Sequence, residues 1–489
     1  MHSQELADRL IALVSSIGVE DFFISPGSRS QALVLAAENL KQNNKAKTCV
    51  RIDERSMSFT ALGSAIASGS PVAMIVTSGT AVANLHPAML EAHHAGVPLI
   101  AITADRPERL RGKGANQTTL QPGIFDSRII DFVDVQKLSD LEQAKQKLIS
   151  SIANNQPLQL NICFDLPLSG KSDASNYLQK IDIPQESSVR TEIDCSARGV
   201  VIAGAGGEGA QEFAEAANWP LFAEPSSGSR SGANVIENYS ESVVDRISEI
   251  EKVVVFGKPT LNRSIVKLIE SMPEISVVSS RFGEFDIANN AKNFESVKAS
   301  GQADQAWLES WREPTKASNS IRENLIEKIW SRTERDDAVY LGASKMIRVA
   351  DRVAPSKEIR VFSNRGLAGI DGSISTAMGI ALKTKGFTRA IIGDLTAIHD
   401  LGGMNLTEMS LRNLQLWVVN DGGGKIFEQL EVKQEVEPEV FDKYFQTPQQ
   451  INFEKIATAM GWNYEVASSE QDIEHCMDLE GPVFIEIKP

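Results

Sequence analysis

IIGDLTAIHDLGGMNLTEMSLRNLQLWVVNDGGG (391–424) contains two apolar runs, Ile391-Ile392 and Leu416 to Val419, and each ends in a small acidic loop. Short β-rich runs that close on Gly, Asp or Asn and then give way to helical periodicity mark βα units of a parallel sheet. The loops are Gly393-Asp394-Leu395-Thr396 and Asn420-Asp421-Gly422-Gly423-Gly424. Each sets a carboxylate at the carboxyl end of a strand, where open parallel sheets bind ligands. Hard oxygen donors beside free backbone amides suit a Mg²⁺–phosphate unit. One such loop alone reads as a turn with an N-capping Asp. A second, one βα unit later, favours a diphosphate held through a metal.

The same pattern runs outward along the chain. Phe22-Phe23-Ile24 enters SPGSRS (25–30), Val72 to Val76 enters TSGTA (77–81), and Leu99 to Ile102 enters TADRP (103–107). Val200 to Ala203 enters GAGGEG (204–209), and Val253 to Phe256 enters GKPT (257–260). Tyr340-Leu341 enters GAS (342–344), and Val361-Phe362 enters SNRG (363–366). Leu6, Leu10, Leu13, Val14 and Ile17 form one helical stripe over 4–17, with Gly18 placed as a C-cap. The fold class is therefore α/β, with Rossmann-like parallel sheets.

At 489 residues the chain is long enough for about three domains. Two polar stretches read as linkers, 169–194 and 299–320, the second with helix at its start and a break at Pro314. They divide the chain into domains at 1–180, 190–320 and 325–489, and the polar strand-end loops gather in the first and third.

Composition excludes several classes. The net charge of −15 disfavours nucleic acid and anionic membranes as partners. No apolar run approaches the roughly 18 residues of a membrane span, and MHSQELADRL lacks the basic-then-apolar pattern of a signal peptide. Four scattered cysteines with no CxxC argue against a disulfide scaffold or a structural zinc site. Six histidines without HExxH argue against a zinc hydrolase, and GxSxG is absent. The expectation is a soluble cytoplasmic protein.

Three further features carry chemistry. Asp53-Glu54-Arg55-Ser56 follows a β-rich run, so Glu54 sits at a helix start, where it could equally be a charge complementing the helix dipole. Arg29, Arg106, Arg109, Arg111, Arg348 and Arg365 lie in or just after strand-end loops. Arginines so placed in an acidic protein suit a polyanionic small molecule, with surface ion pairs as the plainer reading. GAGGEG matches G-x-G-x-x-G, and Glu224 follows about 20 residues later, where a ribose-binding acid would stand. That pair keeps a dinucleotide-dependent oxidoreductase open as an alternative.

The motifs SPGSRS (25–30), DERSMSFTALG (53–63), TSGTAVANLHPA (77–88), TADRPERLRGKGANQ (103–117), SNRGLAGIDGSISTAMG (363–379), GDLTAIHDLGGM (393–404) and NDGGGKIF (420–427) stand in family order. Together they resemble the 2-succinyl-5-enolpyruvyl-6-hydroxy-3-cyclohexene-1-carboxylate synthase family, thiamine-diphosphate enzymes of menaquinone biosynthesis. The likeness covers nearly the whole chain and is thinnest in the middle.

The resemblance implies a pyrimidine-binding domain at 1–180, a central Rossmann-like domain at 190–320 without a dinucleotide, and a diphosphate- and metal-binding domain at 325–489. It implies decarboxylation of 2-oxoglutarate on thiamine diphosphate and addition of the succinyl carbanion equivalent to isochorismate. It also implies a homodimer or homotetramer with active sites at subunit interfaces. Glu54 corresponds to the glutamate that hydrogen-bonds the aminopyrimidine ring and activates the cofactor, and Gln117 is implied as a second catalytic residue. Asp394, Asp421 and the Gly423 carbonyl correspond to ligands of Mg²⁺ or Mn²⁺; many thiamine enzymes have Asn where Asp421 stands. Thr80, Gly393, Leu395, Thr396 and Ile426 are implied in cofactor binding, with Ile370 as the apolar wedge beneath it. Ser28, Arg29, Arg106, Asn116, Gln117, Arg263, Ser344, Arg348, Arg365 and Phe427 are implied in substrate binding. Another thiamine-diphosphate carboligase or decarboxylase of 2-oxo acids is the nearest alternative.

Overall fold

The computed structural model describes residues 3–184, 190–278, 285–312, 320–406 and 411–489. The chain forms two compact units, each discontinuous in sequence. One comprises Met1–Glu186, Asp371–Lys383 and Asp400–Leu411; the other comprises Ser187–Ile370, Thr384–His399 and Arg412–Pro489.

In the first unit, β1 (Asp21–Ile24), β2 (Lys47–Val50), β3 (Val72–Val76), β4 (Leu99–Asp105), β5 (Asp131–Val135) and β6 (Leu158–Cys163) form one sheet. Its order is β2-β1-β3-β4-β6-β5, with all pairs parallel. The central strands β3 and β4 are buried at every residue, which is why they read as continuous apolar runs. The stripe expected over 4–17 is the helix Ser3–Ser16, and Gly18 follows with φ +106°.

The helix Glu54–Ser68 has local start and stop signals. The Asp53 side chain caps it by accepting the Arg55 N–H, and Gly69 ends it in the left-handed region at φ +65°. It crosses the helix Ser373–Ala381 at backbone distance. A Cβ on Gly63 would lie 2.1 Å from the Thr376 carbonyl oxygen, and one on Gly379 would lie 2.0 Å from that of Thr60. Only glycine permits that reciprocal approach.

The second unit holds two larger sheets and a strand pair. The pair is β7 (Arg190–Asp194) with β13 (Ser296–Ser300). A five-stranded parallel sheet, ordered β12-β11-β10-β8-β9, joins β8 (Gly199–Ala203), β9 (Leu221–Ala223), β10 (Lys252–Phe256), β11 (Ile275–Val278) and β12 (Ala291–Phe294). A six-stranded parallel sheet joins β14 (Ala338–Leu341), β15 (Val361–Phe362), β16 (Thr388–Gly393), β17 (Leu414–Val419), β18 (Asn463–Ala467) and β19 (Val483–Ile487). Its order is β15-β14-β16-β17-β19-β18. The α/β parallel-sheet class expected from the sequence is thus the class observed.

The two supposed linkers differ from expectation. In the first, Ala174 is fully buried, Leu178, Ile181 and Ile183 pack on the core of the first unit, and Ser172 and Asp173 bond to Asp8. In the second, the helix Gln305–Glu309 forms as expected, but Trp307 and Trp311 are buried in the core around the five-stranded sheet. Polar residues outnumber apolar ones in both stretches, yet a few well-placed apolar side chains suffice to anchor them. Residues 185–189 of the first and 313–319 of the second, including Pro314, lie outside the described residues.

Candidate active site

Strands β16 and β17 are parallel neighbours, with Gly393 in register with Val419. Their carboxyl-end loops are therefore side by side. Asp394 opens the helix Asp394–His399, and its Oδ2 accepts the Gly423 N–H at 2.7 Å. Its Oδ1 accepts the Leu395 N–H at 2.9 Å. Asp394 is only 6% exposed, and burial pushes its carboxyl above the usual range, with the negative charge of Asp421 adding to the shift. Gly423 has φ +128°, and a Cβ there would meet the Gln446 carbonyl oxygen at 2.4 Å. The loop is shaped around glycine and fixed to the aspartate beside it.

Asp421 pairs with Arg322, and Lys345 stands 3.6 Å away. Sequence reading missed both cations, since their shared partner lies far along the chain. Among the described residues no group of three or more His, Cys, Asp or Glu side chains could hold a metal. A cation here would rest on Asp394, Asp421 and backbone oxygen, with the rest of its shell from phosphate and water. Mg²⁺ binds in that way, through one or two carboxylates plus substrate phosphates. The residues present fit the ion: burial and then the Asp421 charge raise the cost of ionising Asp394, and a divalent cation would relieve it. Thr396 is buried, and Ile426 and Phe427 lie half-buried on the 3₁₀ turn Lys425–Gln429 that follows the second loop.

Arg365 and Arg348 lie elsewhere in the second unit. Arg365 is 3% exposed, and its Nε donates to Thr260 Oγ1 at 3.0 Å. Arg348 donates to the Ser344 carbonyl at 2.7 Å, and Ser344 adopts φ +86° at the start of the helix Lys345–Val353. Burial, and then the neighbouring Arg365 charge, lower the Arg348 pKa. Arg263 stands apart, highly exposed, and faces Glu431 at 3.5 Å. Ile370 is half-buried at the end of the SNRG–GIDG segment.

The first unit gathers its own polar set. Glu54 is half-buried in the first turn of its helix. Arg51, three residues earlier and 2% exposed, donates to Thr60 Oγ1 at 2.6 Å and to the Gly403 carbonyl at 2.9 Å. Those bonds fix the strand-to-helix junction that presents Glu54, a role the sequence reading did not assign. Arg106 donates to Ser78 Oγ at 3.0 Å and to the Gln117 carbonyl at 2.8 Å. Gln117 Nε2 returns a bond to the Ser78 carbonyl at 2.9 Å. Arg29 donates to the Phe164 carbonyl at 3.0 Å, and burial followed by the Arg106 charge lowers its pKa. Ser28, Thr80 and Asn116 are exposed nearby in sequence. Arg109 and Arg111 are consumed by ion pairs, Arg109 with Asp165 and Arg111 with both Asp105 and Asp134, so the plainer reading holds for them.

The glycine-rich loop 204–209 is accounted for by packing. A Cβ on Gly204 would lie 2.0 Å from the Pro259 nitrogen, and Ala205 and Lys258 exchange backbone hydrogen bonds. Glu224 is 2% exposed and accepts backbone N–H groups, so it is unavailable to a ribose. A cavity of about 780 Å³ beside Gly206 and Gly209 is edged by Glu208, Glu212 and Glu295 against Arg190 and Lys298. That carboxylate excess opposes a dinucleotide diphosphate.

The thiamine pyrophosphate enzyme N-terminal TPP binding domain matches residues 4–126, and the C-terminal TPP binding domain matches residues 342–487. Fold and matches together define a thiamine-pyrophosphate-dependent enzyme. The 2-succinyl-5-enolpyruvyl-6-hydroxy-3-cyclohexene-1-carboxylate synthase of Leifsonia xyli subsp. xyli is 36% identical across 96% of this chain and 93% of that protein. The protein of the same name from Renibacterium salmoninarum is 37% identical, across 98% and 92%. That of Thermobifida fusca is 33% identical, across 99% and 96%. The chain belongs to this synthase family and is a transferase of that kind. Among the described residues no helix is long and apolar enough to cross a membrane.

Proposed function

We propose that the chain decarboxylates 2-oxoglutarate and transfers the succinyl unit to isochorismate, giving 2-succinyl-5-enolpyruvyl-6-hydroxy-3-cyclohexene-1-carboxylate and carbon dioxide in menaquinone biosynthesis. The observation that carries this reading is the pairing of the Asp394 and Asp421 loops on adjacent strands of a chain related over nearly its full length to synthases of that name. Thiamine diphosphate, when bound, supplies the electron sink for decarboxylation.

The chain's own residues bind, orient and move protons. Asp394, Asp421 and the Gly423 carbonyl would hold Mg²⁺ or Mn²⁺, and through it the diphosphate. Thr80, Gly393, Leu395, Thr396 and Ile426 would line the cofactor, and Ile370 would support it from below. Glu54 would hold a proton at the aminopyrimidine ring nitrogen, which sets the basicity of the exocyclic amine. Gln117, close to Arg106, would assist as a polar group beside the reacting atoms. Arg29, Arg106, Arg348 and Arg365 would meet substrate carboxylates, because guanidinium grips a carboxylate at two points. Ser28, Asn116 and Ser344 would add hydrogen bonds, and Phe427 an apolar wall. Arg263 is the weakest member of this set, because its exposed pairing with Glu431 is an ordinary surface contact.

The assignment divides labour among 1–180 for the pyrimidine end, 190–320 as a central domain and 325–489 for the diphosphate end. The active form would be a cytoplasmic homodimer or homotetramer, with each site completed at a subunit interface. Mass spectrometry of the product from isochorismate and 2-oxoglutarate, with thiamine diphosphate and Mg²⁺ added, tests the reading. A succinylated cyclohexene product supports it. Carbon dioxide release from a different 2-oxo acid, with no isochorismate dependence, points to another carboligase or decarboxylase.

A further inference from the structure

Glu224 has no part in the chemistry above, yet it is a carboxylate buried at the end of β9. Its Oε1 accepts the backbone N–H groups of Thr260 at 2.6 Å and Leu261 at 2.7 Å. Among the described residues its Oε2 has no hydrogen-bond partner. Burying a half-satisfied carboxylate costs stability, so its retention calls for a compensating role.

The contacts suggest that role. Thr260 lies in the GKPT loop after β10, and its Oγ1 accepts from both Nε and Nη2 of Arg365. A relay of hydrogen bonds thus runs from Glu224 through the Thr260 segment to the Arg365 guanidinium. The surrounding charges complete the setting. Arg365 and Arg348 act on Glu224 as cations, while Asp351 on the same helix as Arg348 opposes it. Asp351 is itself fixed by Asn262 Nδ2 at 2.6 Å and Tyr239 Oη at 3.1 Å, with Arg230 3.6 Å away. The carboxyl of Glu224 is pushed up to about 7, first by burial.

We propose that Glu224 is a positioning residue for substrate recognition: through the Thr260 segment it holds the Arg365 guanidinium where a substrate carboxylate can meet it. The proposal rests on the assignment of Arg365 to substrate binding made above. A guanidinium offers two-point recognition only in a narrow range of orientations, and the Thr260 hydroxyl, on a backbone whose N–H groups Glu224 holds, sets that orientation.

Steady-state kinetics for both substrates, with cofactor and Mg²⁺ on the full chain, test this with Glu224→Ala, Glu224→Gln, Thr260→Val and Arg365→Lys. Glu224→Ala and Thr260→Val should each raise KM for the same substrate by about 10- to 100-fold, with a much smaller change in kcat. The double variant should be no worse than the worse single one, since both break one relay. Glu224→Gln keeps an oxygen for both N–H groups and should recover most of the KM. A purely structural role would lower the melting temperature and leave KM alone. Wild-type KM in folded Glu224→Ala and Thr260→Val overturns the proposal, even where Arg365→Lys is impaired. Wild-type KM in Arg365→Lys overturns the assignment of Arg365 itself, and the proposal with it. Should Glu224→Ala fail to fold, Glu224→Asp carries the same test, because its shorter side chain withdraws the acceptor without removing the carboxyl group.

Discussion

The Arg51 guanidinium donates to the Gly403 carbonyl at 2.9 Å and to that of Gly402 at 3.3 Å, tying the residue three places before Glu54 to a segment some 350 residues later in sequence. Burial lowers the Arg51 pKa, and the negative charge of Asp400 works against that shift. The cation is retained because its bonds define the junction from which Glu54 projects. Arg51→Met leaves those carbonyls without their donor. The expected loss is about 1.5–3 kcal/mol per charged hydrogen bond removed without replacement. Urea denaturation of the two proteins checks it, and an unchanged midpoint would remove Arg51 from the framework of the site.

The glycine crossing offers a second test. Gly379→Ala improves helix propensity by about 1 kcal/mol, but its Cβ would sit 2.0 Å from the Thr60 carbonyl oxygen. Overpacking of that kind costs about 1–3 kcal/mol or more. The clash should win, so the variant is expected to melt below wild type by calorimetry. A higher melting temperature would mean that the helices separate at little cost.

Much of this was legible in the sequence. The apolar runs that close on small polar loops are the strands, because a strand buried on both faces in a parallel sheet admits few polar residues. Asp394 and Asp421 could be placed together for the same reason, since successive βα units deliver their loops to one edge. The Gly63–Gly379 crossing could not be read, because nothing local distinguishes a glycine that meets a distant helix from one in a turn. Arg51, Arg322 and Lys345 were missed because their partners are remote in sequence. Glu224 was noticed for the wrong reason: its spacing from GAGGEG suggested a ribose contact, while the fold turns it inward to the Thr260 and Leu261 amides. The association of 371–383 and 400–411 with the first unit is likewise a property of tertiary packing.

Glu224 also sets a pH dependence. Its carboxyl is held near 7 in the folded protein, against an ordinary value of 4.5. Between those values the folded chain keeps a proton that the unfolded chain releases, so raising the pH favours unfolding. The stability linked to this proton is fully present below about 4.5 and is lost as pH approaches 7, for a total of about 3 kcal/mol. Urea midpoints from pH 4.5 to 8 should fall more in wild type than in Glu224→Gln. Parallel profiles would show that the carboxyl titrates normally.

The metal assignment makes a binding prediction. Asp394→Ala should weaken thiamine diphosphate binding, because the diphosphate would lose the cation proposed to bridge it to the protein. Calorimetric titration with and without Mg²⁺ separates the contributions: wild type should gain affinity from Mg²⁺, and the variant should gain far less. Equal gains in both would take Asp394 out of the metal site.

The most direct measurement concerns Glu54. Were it only a helix-start charge, Glu54→Gln would cost a few tenths of a kcal/mol, about the lower range for a charge near a helix terminus, and change nothing else. As the activating group it must hold a proton at the aminopyrimidine ring, which an amide cannot accept. Exchange of the thiazolium proton of bound cofactor with deuterated solvent, quenched and followed by NMR, reads that step without turnover. The account predicts a folded variant that binds cofactor and exchanges about 10²–10⁴-fold more slowly than wild type. Exchange at the wild-type rate in a folded, cofactor-bound Glu54→Gln would contradict it.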